Sequence, residues 1–231
     1  MHPDTMRLID RWVGIPLCFF ASIWPLKKAQ ADSNSTLATN IPPPDTIVFI
    51  LIAEIGALVV AYPAIKETRK QHPKSRICFI TAPAGLQTLE LMGFEKEDIF
   101  LLETSSIKSL LKGIVNIRYH FKGKRVSAIV LEPFTRFSTL LSAWIGASKR
   151  IGCYRFLNEG VYLGNILTHR LVYNPHLHMS QTYFALAKAL IEPDSAKPLL
   201  KEYIPSQIKN RLKINIPEKE RQTLMKRLQS E

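Results

Sequence analysis

Cysteine is scarce in this sequence: Cys18, Cys78 and Cys153 lie far apart, with no C-x-x-C pair among them. An odd count without close spacing excludes a disulfide framework and a cysteine-rich zinc site, and it fits a reducing compartment. Two phosphate-cradling signatures, G-x-G-x-x-G and the P-loop, are also missing, so a conventional dinucleotide or ATP site has no support. No Asp-x-Asp occurs; the nearest acidic cluster, EKED at residues 95–98, is read as a solvated turn. His169, His176 and His178 have no matching cysteine or carboxylate, so neither a metal nor a cofactor is expected. Acidic side chains are in short supply, 19 against 31 Lys and Arg, leaving a net charge of +12 and a pI near 9.7. That balance implies an anionic partner: nucleic acid, a phospholipid surface or a phosphorylated substrate. Aromatic interleaving in the basic stretches is sparse, which counts against nucleic acid.

The N-terminal apolar run, residues 12–26, is about 15 residues long, short of the roughly 20 that a bilayer-crossing helix needs, and Pro16 and Pro25 interrupt it. Three readings of this preface, residues 1–31, stay open: an interfacial membrane anchor with basic flanks, a segment packed on the domain, or a signal peptide cleaved after AQA at residues 29–31. Lys27 and Lys28 stand where a signal peptide is normally neutral, which counts against export. Residues 32–45, polar and proline-rich, read as a linker.

From residue 46 the chain becomes regular. TIVFILIAE, SRICFIT, DIFLLE, VSAIVLE and KRIGC read as strands, and the segments between them have helical length and pattern, with Pro63 as a kink in the first. A further helix is expected over residues 176–191, with no strand after it. Strands apolar on both faces, alternating with helices, predict an α/β fold: a Rossmann-like, doubly wound parallel sheet over residues 46–193. Ligands in such a sheet sit beyond the carboxyl ends of the strands.

That rule selects candidates. Glu54, at the end of the first strand, is placed to accept a proton from a hydroxyl, or else is a capping or solvated carboxylate. Gly56 permits a tight turn and close backbone approach, or marks a plain strand-to-helix junction. In LEPFTRFSTLLSAWIGASKRIGCYRF, Glu132 closes a strand, Arg136 and Ser138 open a helix, and Lys149, Arg150 and Arg155 surround the last strand. Several of these are expected on one rim, gripping carboxylate or phosphate, with a solvated basic surface as the alternative.

AEIGALVVAYPAIKE, LEPFTRFSTLLSAWIGASKRIG and HLHMSQTYFALAKAL together resemble the acceptor-side half of glycosyltransferase family 9, the ADP-heptose:lipopolysaccharide heptosyltransferases, over residues 45–193. The resemblance implies the N-terminal half of a two-domain GT-B fold and metal-independent inverting transfer from a nucleotide sugar such as ADP-heptose. It further implies an anionic glycan or lipid-linked saccharide acceptor and a place at the cytoplasmic face of the inner membrane. By the same resemblance, Gly56, Glu132, Arg136, Ser138, Lys149 and Arg155 would hold the acceptor. The family's general-base aspartate follows a loop glycine; here Ala57 follows Gly56, which leaves Glu54 as the substitute. The family's donor motif, Asp-Ser/Thr-Gly-x-x-His, is absent. Residues 194–231 therefore read as an interdomain linker and one helix with the second, donor domain absent, a separate donor-domain chain as a candidate partner, and the chain as inactive alone. The alternative is a non-catalytic glycan- or membrane-binding module.

Overall fold

The computed structural model describes residues 10, 12–23, 43–52, 54–156, 161–192 and 198–199, and six helical positions between 218 and 228. The sheet is built from β1 (Thr46–Ile50), β2 (Arg76–Thr81), β3 (Ile99–Leu101), β4 (Val126–Val130), β5 (Lys149–Phe156), β6 (His169–Tyr173) and β7 (Pro198–Leu199). All pairings are parallel, in the order β3-β2-β1-β4-β5-β6-β7.

Every residue of β1 is buried, and the two-residue pleat sends them to opposite faces. Ile47 and Phe49 join a core cluster with α2 (Ile55–Gln71), α3 (Leu86–Leu91) and α6 (Met179–Lys188). Val48 and Ile50 join a second cluster with α4 (Ile107–Phe121) and α5 (Arg136–Trp144) on the other face. The sheet is therefore doubly wound. Ser106 caps α4, its hydroxyl accepting the Ser109 N–H at 3.1 Å. Pro63, read as a kink, is buried inside an uninterrupted α2.

Two corrections concern the C-terminal strands. β5 runs on to Phe156, and the segment HRLVY forms β6, which was not expected. A further strand, β7, follows α6 and pairs Pro198 with Arg170 and Leu199 with Leu171. Only three residues of β6 alternate as buried, partly buried, buried, and His and Arg open it, so its apolar signal is weak. The described part of the β5–β6 connection carries no helix.

The helix α1 (Gly14–Ile23) lies along that connection. Gly14 sits against Arg136, where a Cβ would meet the Arg136 Cδ at 2.9 Å. The Ser22 hydroxyl accepts the Asn165 N–H at 2.9 Å and donates to the Cys18 carbonyl at 2.6 Å. Gly164 has φ +58°, and a Cβ there would fall 1.9 Å from Ser22 Oγ, so the close approach of this loop to α1 requires glycine. One face of the preface is thus packed on the domain. No helix of the described residues is long and apolar enough to cross a membrane. Of the linker, residues 32–45, all but the last three lie outside the described residues, as do most of residues 193–231; Asp45 at its end pairs with Arg125.

Candidate functional site

Strand order reverses between β1 and β4, the two neighbours whose crossovers leave in opposite directions. In an open parallel sheet this switch point opens a crevice beyond the carboxyl ends of the strands. Glu54 follows β1 and Glu132 follows β4, so the two carboxylates flank that crevice.

Their environments differ. Glu54 is exposed and holds the N-cap position of α2, but its side chain makes no capping hydrogen bond. Glu132 is 9% exposed. Its Oε1 accepts the Ile52 N–H at 2.8 Å, and its Oε2 accepts the hydroxyl of the fully buried Ser138. A carboxylate held by two donors is oriented and braces what it holds, here the backbone leading from β1 to Glu54. Behind both lies Tyr183 of α6, whose hydroxyl is raised above the ordinary tyrosine value by burial first, then by the charges of Glu54 and, more weakly, Glu132. Both carboxylates therefore bear on one buried phenol, which stays protonated as a donor.

The β4–α5 turn adds strain. Phe134 has φ 60°, the left-handed region, and is the sole non-glycine residue with positive φ among those described. Its ring meets Tyr173 edge-on, with centroids 5.5 Å apart. Bulky residues rarely adopt this conformation outside sites that over-determine it.

Gly56 lies in the first turn of α2 without positive φ, and a Cβ would meet nothing within 4 Å. The turn itself does not need glycine; the open space in front of it faces outward at the helix N-terminus. Ala57 is buried in the core cluster.

The expected convergence of cations fails for two residues. β5 pairs with β4 so that Lys149 stands opposite Ser127, near the start of β4, while Glu132 lies past its end. At roughly 3.3 Å per residue this places Lys149 about 16 Å from the rim. There its Nζ donates to the carbonyls of Leu190 and Glu192, at 3.0 and 3.1 Å. Arg150 is 1% exposed, with Nε donating to the Ile166 carbonyl at 2.6 Å and Nη1 to those of Ala147 and Ser148. Arg136 is at the correct end but turned toward α1: Nη1 meets Asp10 Oδ2 at 2.7 Å and Nε donates to the Tyr162 carbonyl at 3.1 Å. Ser138 serves Glu132. Arg155 lies in the last part of β5, beyond a register shift; its side chain lies outside the described residues.

The histidines are dispersed into structural roles. His178 begins α6, its Nδ1 accepting the Ser180 N–H at 3.2 Å while its own N–H donates to Gln181 Oε1 at 3.0 Å. His169 is fully buried between Thr168 Oγ1 at 2.8 Å and the Glu192 carbonyl at 3.0 Å. The thiols are protonated core groups: burial pushes Cys18 up to about 11, and Cys78 and Cys153 up to about 12.

Three solved structures share this fold. A family 9 glycosyl transferase from Veillonella parvula superposes with a TM-score of 0.56 at 17% identity, over 82% of this chain and 50% of that one. The fold is that of one half of these glycosyltransferase structures. The E. coli ADP-heptose LPS heptosyltransferase II gives 0.55 at 16% identity, over 79% and 50%. E. coli heptosyltransferase WaaC with ADP-2-deoxy-2-fluoro heptose gives 0.50 at 8%, over 66% and 50%. The chain thus spans about half the length of each heptosyltransferase-like structure it matches. No family model and no curated protein sequence matches it.

Proposed function

We propose that this chain is the acceptor-side domain of a heptosyltransferase-like enzyme. It holds an anionic saccharide at the crevice between β1 and β4, on the cytoplasmic surface of a membrane. The observation that supports this most directly is the pair of carboxylates at the switch point, one braced and buried, one open. WaaC's ligand, an ADP-sugar, indicates the donor class. In the reaction an acceptor hydroxyl oxygen bonds to the anomeric carbon, the bond from that carbon to the nucleotide diphosphate breaks, and the diphosphate leaves with the electron pair. The hydroxyl proton goes to a carboxylate. Glu54 is the candidate base because it is exposed at the rim; Glu132 positions the loop that carries it. Arg155 orients the anionic group of the acceptor.

The buried methyl of Ala57, at the place where the family resemblance puts an aspartate, favours a second reading, a saccharide-binding module without chemistry. Calorimetry of the 231-residue protein with a phosphorylated Kdo-containing saccharide tests the shared claim. Binding is expected, and Arg155→Ala should weaken it by about 1 to 3 kcal/mol, the range for a hydrogen bond to a charged group. No binding by the wild-type protein would overturn both readings. Glu54→Gln should leave affinity nearly intact, since a base acts on the proton in the transition state.

A further inference from the structure

α4 and α5 form one layer on one face of the sheet, and α1 packs against α5. α5 is the middle member: its Arg136 is held against the start of α1, and its Trp144 donates Nε1–H to the Ile114 carbonyl of α4 at 3.3 Å. Arg118 of α4 lies over the Trp144 ring at 5.7 Å.

The outer side of this layer is apolar where a solvated surface would be polar. On α4, Ile107, Leu111, Val115 and Tyr119 recur every four residues, and each is more than half exposed. The inward positions Ile117 and Phe121 are buried, so this stripe is not the core face. Trp144 is 50% exposed. On α1, Gly14 and Cys18 are buried toward the domain while Phe19, Phe20 and Ile23, with Trp12 just before the helix, project outward, each more than half exposed.

The charge around this surface is mostly positive, with exposed Glu103 before α4 as an exception. Lys108 and Lys112 are exposed one turn apart beside the α4 stripe, and Lys122 follows the helix end. None of α1, α4 and α5 contains an aspartate or glutamate. Asp10, beside α1, is paired with Arg136. An apolar and aromatic stripe flanked mainly by cations matches the boundary between anionic headgroups and acyl chains.

We propose that α1, Trp144 and the outer stripe of α4 form a single docking surface for an anionic phospholipid membrane. It deepens the membrane setting proposed above and rests on it. α1 and α4 insert their aromatic and aliphatic side chains shallowly, Lys108, Lys112 and Lys122 meet headgroup phosphates, and the two helices fix the orientation of the domain at two points.

Vesicle co-sedimentation of the whole protein tests this, using phosphatidylcholine with and without phosphatidylglycerol and circular dichroism to confirm folding. Wild type is expected on the phosphatidylglycerol vesicles only, with binding that falls as salt rises. The double variant Leu111→Glu/Lys112→Glu should reduce partitioning by roughly tenfold or more, and Phe19→Glu/Phe20→Glu likewise, because each puts carboxylates against anionic headgroups. Full binding by the folded α4 variant, with loss in the α1 variant, would overturn the α4 part and leave α1 as the anchor. Absence of wild-type binding to either vesicle would overturn the membrane setting altogether. A dimer in sedimentation velocity that the α4 variant dissociates, without vesicle binding, would assign the surface to a second copy. Saccharide affinity measured on the same variants is expected to be unchanged, which separates failure here from failure of the acceptor site.

Discussion

The two ends of the sheet use charged residues in opposite ways. At the amino end, Lys149, Arg150 and His169 are spent on backbone carbonyls: those of Leu190 and Glu192 after α6, and of Ala147 and Ser148 after α5. At the carboxyl end, Glu132 is spent on a backbone N–H and a hydroxyl, and Glu54 stays open. Helix direction explains the difference. Helices of a parallel α/β layer finish near the amino ends of the strands, exposing carbonyls and the negative end of the dipole, and start near the carboxyl ends, exposing N–H groups. Cations are therefore structural at the amino end, where Arg76 and Arg125 also pair with Asp98 and Asp45, and the N–H groups of the carboxyl end suit a bound anion. The comparison teaches that a basic residue in β5 is read by its position along the strand, not by its type.

The largest expected effect lies at the amino end. Arg150→Ala would leave several buried carbonyls without donors and should cost about 3 kcal/mol or more, at roughly 1–3 kcal/mol for each buried group left unpaired. Urea denaturation measures it, and an effect below 1 kcal/mol would break the claim that this guanidinium is structural. At the carboxyl end, Glu132→Ala strands the Ile52 N–H and the Ser138 hydroxyl, for a loss of about 2 kcal/mol. Glu132→Gln keeps the acceptor for Ile52 and should lose less than half of that, measured in the same denaturation series.

Lys149→Ala sharpens the comparison. It should lower stability by about 1 kcal/mol, since a partly buried ammonium on two carbonyls is lost, and leave saccharide affinity unchanged. Equal weakening of saccharide binding by Lys149→Ala and Arg155→Ala would show that the two ends are not functionally separate.

The smallest effect is a pH dependence at the amino end. Burial first, then the charge of Lys149, holds His72 below the ordinary imidazole value of 6.5, and its Nε2 is buried with no hydrogen-bond partner among the described residues. His120 is held below that value in the same way, by burial and then by Lys124 and Arg76. The unfolded chain therefore binds more protons than the native one over this range. The stability contributed by the neutral imidazoles is complete above pH 6.5 and is lost as pH falls through the depressed native values. Thermal melts should show slightly lower stability at pH 5.5 than at pH 7.5, and His72→Gln should flatten the slope.

Much of this protein was legible in its sequence. The apolar runs of TIVFI, RICFI and VSAIV, each with residues alternating between two core clusters, determined a parallel sheet covered on both sides. The placement of Glu54 and Glu132 after apolar strands determined that they would stand at carboxyl ends. What the sequence did not determine was which side chains share a rim. The Ile52–Glu132 bond spans 80 residues, and the direction Arg136 takes depends on Asp10, 126 residues away. Nothing local marks Phe134 for a left-handed backbone or Tyr183 as the phenol behind the carboxylates. β6 has a weak sequence signal because it opens on His169 and Arg170, which only the surrounding carbonyls make acceptable in a sheet interior. Sequence determines periodicity and hence elements and layers, because these follow from neighbours along the chain. Strand order and register decide which end of the sheet each charge reaches, and with it whether that charge holds the fold together or faces a ligand.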